Sequence, residues 1–357
     1  MTARAKVIDA GKRFGQPPLE FVSSGDFVLD FVPPNYLIDG VLQRRFVYSL
    51  TAPTGGGKTA IALRIAAHVG LGQPLTGRDV EQGHVLYLAG ENPDDLRMRW
   101  IAQSNVVRFD AATMPVTFVP SVFPISAQMD AVQDFAKSDE GLALVIVDTS
   151  AAYFEGNDEN DNIQMTAHAR SLRTLTNLEG GPAVLILCHP TKNAKKGSAL
   201  QPRGGGAFLA EIDGNIIGQK AKESPLVTLS PHEKFRGVCF DPLTFRLEPT
   251  TVKDLIDSKG NQIPTVVAHP LGERDRGKGM PSNQSSLVEN LKSVMERTRG
   301  LSFQNYADEL GATKRQVQSA MNKLTERGIV AKGPDRRYYI TNAQPASLRE
   351  RGKWLRQ

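Results

Sequence analysis

Three consecutive glycines followed by a lysine and a threonine constrain this chain more than any other stretch; they lie within Ala52-Pro53-Thr54-Gly55-Gly56-Gly57-Lys58-Thr59. The run follows a strand-like segment, Phe46 to Leu50, and opens a helix-like one, TAIALRIAAHVG, with Gly70 as its expected stop. A strand, a glycine loop and a helix in that order form a phosphate cradle. The glycines let backbone N–H groups turn inward, and the helix aims its positive end at the anion. Thr54, Gly55, Gly56 and Gly57 supply the cradle, Lys58 neutralises the β- and γ-phosphates, and the Thr59 hydroxyl ligates Mg²⁺. Ala52 stands where the pattern has its first glycine. Lys58-Thr59 argues against a flavin or nicotinamide glycine motif, and no Asn-Lys-x-Asp follows to read guanine. ATP and Mg²⁺ are the expected cofactors.

From about Phe46 to Phe240 short apolar runs alternate with helical stretches, as in a parallel sheet covered by helices. Val85–Leu88, Val116–Val119, Ala143–Val147 and Ala183–Leu187 read as strands. They are rich in Val, Ile and Leu without alternation, as expected when both sheet faces are covered. Met129, Val132 and Ala136 mark one amphipathic helix, and Leu172, Leu175 and Leu178 another. Leu226–Leu229 and Thr244–Leu247 read as antiparallel strands closing the sheet. The expected fold class is α/β with a mostly parallel sheet, followed by a small C-terminal domain.

Parallel strands bring their C-terminal ends to one sheet edge, so residues just past them are candidates for chemistry. Asp148 ends the most apolar strand and is the expected Mg²⁺-side acid, or else an N-cap of the next helix. Glu91 follows Val85–Leu88 and can orient the attacking water, unless it is only a surface acid in Gly90-Glu91-Asn92-Pro93. His189 ends the next core strand, where a neutral imidazole can sense the γ-phosphate.

The net charge of +5 is unevenly spread. Residues 273–357 hold 17 Lys+Arg against 9 Asp+Glu, a net +8, and the preceding residues hold 26 against 29, a net −3. That asymmetry is the footprint of a nucleic-acid-binding appendage on a near-neutral core. Within the basic part, Leu287, Leu291, Val294 and Met295 give one helix face; Tyr306, Ala307 and Leu310 a second; Val317, Ala320, Met321 and Leu324 a third. Ser302 and Thr313 are placed to cap the second and third helices. Ile329–Lys332, a Gly333-Pro334-Asp335 turn and Arg337–Ile340 read as a β-hairpin. Three helices and a hairpin make a winged helix. Lys314, Arg315, Gln318, Asn322 and Lys323 face away from the apolar stripe of its third helix and suit a major groove. Arg336 and Arg337 add cations at the hairpin tip, and Lys192, Lys195 and Lys196 form a second basic cluster on the core. A winged helix that binds another protein is the rival reading.

The expected domains are residues 1–271 (with an extension over 1–35), a linker over 272–286, the winged helix over 287–342 and a basic tail over 343–357. Residues 191–206, like the linker, read as mobile. Cys188 and Cys239 read as buried free thiols. With no signal peptide and no run long enough to cross a bilayer, a cytoplasmic location is expected.

Leu37-Ile38-Asp39-Gly40, Gly90-Glu91-Asn92-Pro93, Val147-Asp148-Thr149, His189-Pro190-Thr191-Lys192 and Arg203-Gly204-Gly205-Gly206-Ala207-Phe208, in this order, resemble the RecA-like ATPases of the hexameric plasmid replicative helicase (RepA-like) type, relatives of DnaB and RadA. The likeness covers residues 30–250. It implies a RecA-like core, a hexameric ring that hydrolyses ATP between subunits, and movement on single-stranded DNA. It gives Glu91 the catalytic role, Asp148 the Mg²⁺ and His189 the sensor role. For the arginine finger it offers Arg203, or Lys234 and Arg236 of Lys234-Phe235-Arg236. Arg203 can instead be a DNA contact, and Lys234 and Arg236 can cap strands. The resemblance implies that the loop after His189 lines the ring channel and meets single strands, leaving duplex DNA to the winged helix. The resulting expectation is an ATP-hydrolysing DNA motor or DNA-remodelling ATPase in plasmid, phage or mobile-element replication or recombination. The alternative is an ATP-switched DNA-binding regulator or recombination mediator without translocation.

Overall fold

A computed structural model describes residues 6–8, 19–29, 31–138, 141–191, 200–220, 224–272, 284–297, 302–310, 314–326, 328–333 and 337–341. The N-terminal part holds β1 (Lys6–Ile8), β2 (Leu19–Phe21), the short α1 (Ser24–Val28), β3 (Tyr36–Ile38) and β4 (Leu42–Gln43). The core follows with β5 (Val47–Thr51), α2 (Lys58–Leu71), β6 (His84–Ala89), α3 (Pro93–Val107), β7 (Val116–Val119), α4 (Ile125–Ser138), β8 (Leu142–Asp148), α5 (Asn162–Thr174) and β9 (Ala183–Cys188). It is completed by α6 (Gly205–Glu211), β10 (Gly214–Lys220), β11 (Leu226–Phe235), β12 (Leu243–Thr250) and β13 (Thr265–Leu271).

Nine strands form one sheet in the order β13-β12-β11-β10-β5-β9-β8-β6-β7. The run from β10 to β7 is parallel throughout, while β11, β12 and β13 pair antiparallel at one side. This is the mixed α/β architecture expected, including the closing strands, although β10 and β13 were not legible as separate runs. Pleating divides β8 between two cores. Leu144 and Ile146 pack with α2 on one face, and Val145 and Val147 pack with α4, α5 and α6 on the other. A sheet covered on both faces has no solvent side to alternate towards, hence the unbroken apolar runs.

Four boundaries and one burial differ from expectation. The helix after the P-loop continues through Gly70, which packs against Met114, and ends where Gly72 takes the left-handed conformation and donates to the carbonyls of His68 and Val69. The stripe Leu172-Leu175-Leu178 is not one α-helix: α5 stops at Thr174 and a 3₁₀ turn carries Leu175. Residues 200–206, within a segment read as mobile, are tied down. The Thr191 amide donates to Gln201 (3.0 Å), the Arg203 amide donates to His189 (2.8 Å), and α6 starts at Gly205. Cys188 is buried, whereas Cys239 is exposed in the loop between β11 and β12.

The C-terminal unit has α7 (Gln284–Arg297), α8 (Phe303–Leu310), α9 (Lys314–Glu326), β14 (Val330–Lys332) and β15 (Tyr338–Ile340), the last two antiparallel. The fourth boundary lies here: α7 starts three residues before Leu287, so Gln284 to Ser286 are helical rather than linker. Residues of the three expected faces meet in one core of their own, with Leu291, Met295, Tyr306, Val317, Met321 and Leu324 buried; the side chain of Leu287 lies outside the described part. Ser302 caps α8, its hydroxyl accepting from the Asn305 amide at 3.2 Å; Thr313 lies outside the described residues. Among those residues no helix is long and apolar enough to cross a membrane.

Candidate nucleotide site

The glycine loop leaves β5 in the middle of the sheet and enters α2, which is buried from Ala60 to Gly70. Gly55 and Gly57 adopt φ of 73° and 82°, and a Cβ on Gly57 would lie 2.6 Å from Cδ1 of Leu247. The loop therefore needs glycine at 57 for both conformation and space. Lys58 is buried, and its Nζ donates to the carbonyls of Ala52 (2.8 Å) and Pro53 (3.4 Å). Burial lowers its pKa, and the charges of Asp148 and Glu91 oppose that shift.

β9, β8 and β6 bring His189, Asp148 and Glu91 to the same carboxyl edge. Asp148 is almost wholly buried. Its Oδ2 accepts from the Tyr87 hydroxyl at 2.6 Å, whereas its Oδ1 has no hydrogen-bond partner. Burial pushes the Asp148 carboxyl up to about 6, against the hydrogen bond from Tyr87, and the Glu91 charge adds to the rise. Asp148, Thr59 and Glu91 line one cavity of about 50 Å³. A buried bare carboxylate oxygen beside a threonine hydroxyl is the donor set a hard divalent cation needs, so the residues fit Mg²⁺. Among the described residues, no cluster of three or more His, Cys, Asp or Glu side chains could hold another metal.

A larger cavity of about 350 Å³ runs from Gly55–Thr59, Glu91 and His189 to Leu247, Pro249 and Val266 on β12 and β13. Arg99 and Lys220 also line it. The phosphate end is cationic and the far end apolar, as a nucleotide with a flat base requires. His189 Nε2 lies 3.9 Å from Glu91 Oε1, and burial together with the Lys58 charge lowers the imidazole pKa, so it is neutral at pH 7.

The finger candidates are engaged within their own chain. Arg203 Nη1 lies 2.8 Å from Glu159 Oε2. Lys234 Nζ donates to the carbonyls of Leu209 (2.9 Å) and Ala210 (2.6 Å) at the end of α6. Arg236 Nε lies 3.2 Å from Asp213 Oδ1, with 62% of its side chain exposed. On α9, Lys314, Gln318 and Asn322 are exposed, and Gln318 Nε2 donates to Asn322 Oδ1 at 3.0 Å. Arg315 and Lys323 lie on the same helix, and Arg337 is exposed beside β15. Lys192, Lys195, Lys196 and Arg336 lie outside the described residues.

Sequence reasoning missed Tyr87, Lys220 and the apolar wall of Leu247, Pro249 and Val266. Their only signal is strand register, which a linear pattern does not carry.

The profile of the AAA domain matches residues 16–195, just over half of the chain. The chain belongs to the AAA domain family. The matched stretch contains the glycine loop, Glu91, Asp148 and His189, but not Lys220, Leu247, Pro249 or Val266 of the larger cavity. β10 to β13 and the C-terminal unit of this AAA domain protein lie beyond it. A solved structure described as a DnaB-like replicative helicase and its interactions with primase is similar at 15% identity and a TM-score of 0.46. The likeness covers 62% of this chain and 59% of that one, and at that level bears on neither activity nor partners. No curated protein matches in sequence.

Proposed function

We propose that this AAA domain protein is an ATP-hydrolysing DNA motor or DNA-remodelling ATPase of RecA-like, RepA-like type. In this reading it works as a homo-oligomeric ring, of hexameric type, in replication or recombination of a plasmid, phage or mobile element. The observation that carries the reading is the meeting of Lys58, Asp148 with its bare Oδ1, Glu91 and His189 at one sheet edge.

Bound ATP supplies the phosphoanhydride bond, and Mg²⁺ supplies charge to screen the phosphates. Lys58 exchanges its carbonyl partners for the β- and γ-phosphate oxygens, while Asp148 and Thr59 hold the cation. Glu91, open to solvent, accepts the proton of the attacking water. Neutral His189 beside it can donate towards the γ-phosphate without adding charge. Of the finger candidates, Arg236 suits action on a neighbouring subunit better, since most of its side chain is exposed; Arg203 is mostly buried against Glu159 of its own chain.

Residues 284–341 are read as a winged helix binding duplex DNA through Lys314, Arg315, Gln318, Asn322, Lys323, Arg336 and Arg337. Lys192, Lys195 and Lys196 are read as contacts to single strands. The net +8 of residues 273–357 supports that division.

The test is an ATPase assay with no DNA, single-stranded DNA and duplex, paired with strand displacement. Stimulation by single strands with displacement supports the motor. DNA-dependent hydrolysis without displacement makes the chain an ATP-switched regulator, and hydrolysis indifferent to DNA assigns the C-terminal unit a protein partner.

A further inference from the structure

Tyr87 is fully buried in β6, and its hydroxyl donates to Asp148 Oδ2 at 2.6 Å. In the parallel ladder of β6 and β8, Ala89 stands opposite Asp148, and Tyr87 stands opposite Ile146 two residues earlier. Tyr87 and Asp148 thus share a sheet face on a diagonal, a separation that a long aromatic side chain can bridge and a short one cannot.

The ring is fixed from its other side. Phe118 of β7 is the register partner of Tyr87, their ring centroids lie 5.3 Å apart, and Trp100 of α3 packs on Phe118 at 5.1 Å. A donor held at 2.6 Å on one carboxylate oxygen fixes the rotation of the carboxyl group, and with it the direction of the other oxygen. That other oxygen, Oδ1, is buried and unpartnered, in a cavity wall shared with Thr59.

We infer that Tyr87 is the positioning residue for the metal ligand: its hydroxyl locks the Asp148 carboxylate so that Oδ1 is presented, with Thr59, to Mg²⁺. The inference rests on the ATP and Mg²⁺ reading above and adds a residue to it. A preset ligand spares the cation the cost of ordering the carboxylate, which is how residues behind a metal ligand act on affinity.

The experiment is a titration of MgCl₂ into full-length protein with a fluorescent ATP analogue, read by anisotropy, alongside the affinity for the same analogue in EDTA. Tyr87→Phe keeps the ring and removes only the hydroxyl. The expected result is a rise of about tenfold in the Mg²⁺ concentration at half-saturation, with the affinity in EDTA unchanged. A merely structural loss moves both. Phe118→Ala loosens the ring's seat without touching the hydroxyl, and it shifts the Mg²⁺ midpoint in the same direction by a smaller factor; this arm decides the matter should Tyr87→Phe fail to fold. In an Asp148→Asn background Tyr87→Phe has no carboxylate to steer, so whatever Mg²⁺ dependence remains does not change. An unchanged midpoint in Tyr87→Phe, against a wild type that does bind Mg²⁺ and nucleotide together, overturns the role of Tyr87 alone. A wild type with no Mg²⁺-dependent nucleotide binding overturns that role and the functional reading together.

Discussion

Nε2 of His189 and Oε1 of Glu91 stand 3.9 Å apart although their strands, β9 and β6, are not neighbours; β8, with Asp148 at its end, runs between them. The gap is too long for a hydrogen bond, so neither group holds the other in place. Both line the larger cavity.

That separation of duties predicts two unlike variants. Lys58→Ala loses nucleotide binding, since no other cation lies within the glycine loop. Glu91→Gln still binds ATP but hydrolyses it at least about a hundredfold more slowly. Fluorescent-nucleotide binding and phosphate release measure the two effects, and near-normal turnover by Glu91→Gln would place the base elsewhere.

Gly57 faces two constraints that can be pulled apart. Gly57→Ala meets Leu247 and must also hold a positive φ, so nucleotide affinity falls by at least about tenfold. Adding Leu247→Ala removes the clash and leaves the backbone strain, so rescue is only partial. Complete rescue would show that space alone governs the position.

His168 carries an acid sensitivity. It is buried, its Nε2 lies 3.0 Å from the Ser150 hydroxyl, and burial lowers its pKa to about 4. The unfolded chain takes up a proton near the ordinary value of 6.5, whereas the folded one does so only near 4. Stability is therefore full above 6.5 and is lost as pH falls towards 4, by about 2 kcal/mol between 6.5 and 5. Urea unfolding at pH 7 and pH 5 should show a flatter profile for His168→Gln, whatever its stability at pH 7.

If Arg236 acts on a neighbour, specific activity rises with protein concentration. Arg236→Ala mixed with Lys58→Ala then recovers activity, because some interfaces pair an intact glycine loop with an intact finger. Additive, inactive mixtures count against the exchange.

Removing residues 280–357 takes away most of the basic excess, so duplex affinity falls strongly while basal hydrolysis survives. Paired replacement of Arg315 and Lys323 reproduces much of the loss and flattens the salt dependence. Neutralising Lys192, Lys195 and Lys196 spares duplex binding and reduces stimulation by single strands. Anisotropy on both DNA forms at two salt concentrations decides among these outcomes.

Placement along the chain was legible and register was not. Gly55 to Thr59 open α2 after β5, where type and order put them, and Asp148, Glu91 and His189 reach one edge because the apolar runs before them end together in a parallel sheet. The three helical faces around Leu291, Tyr306 and Val317 were readable because helical period survives without neighbours. Tyr87 was not, being one more apolar residue in VLYL until β6 and β8 are aligned. Nor was the apolar wall of the cavity, since β13 and β5 lie four places apart in the sheet. Arg203, Lys234 and Arg236 stood as rival finger candidates, and only their partners distinguish them.

The strand order also bears on how the chain comes to fold. β5 carries the glycine loop, yet both its neighbours, β9 and β10, are translated more than 130 residues later. A nascent chain that has released residues 52–59 holds a phosphate cradle whose strand has no sheet neighbours, and these arrive only when residues 183–220 leave the ribosome. Such distant pairings cost loop-closure entropy before any contact repays it, and they fold slowly. The cradle is therefore among the first parts of the core to be made and among the last to be enclosed.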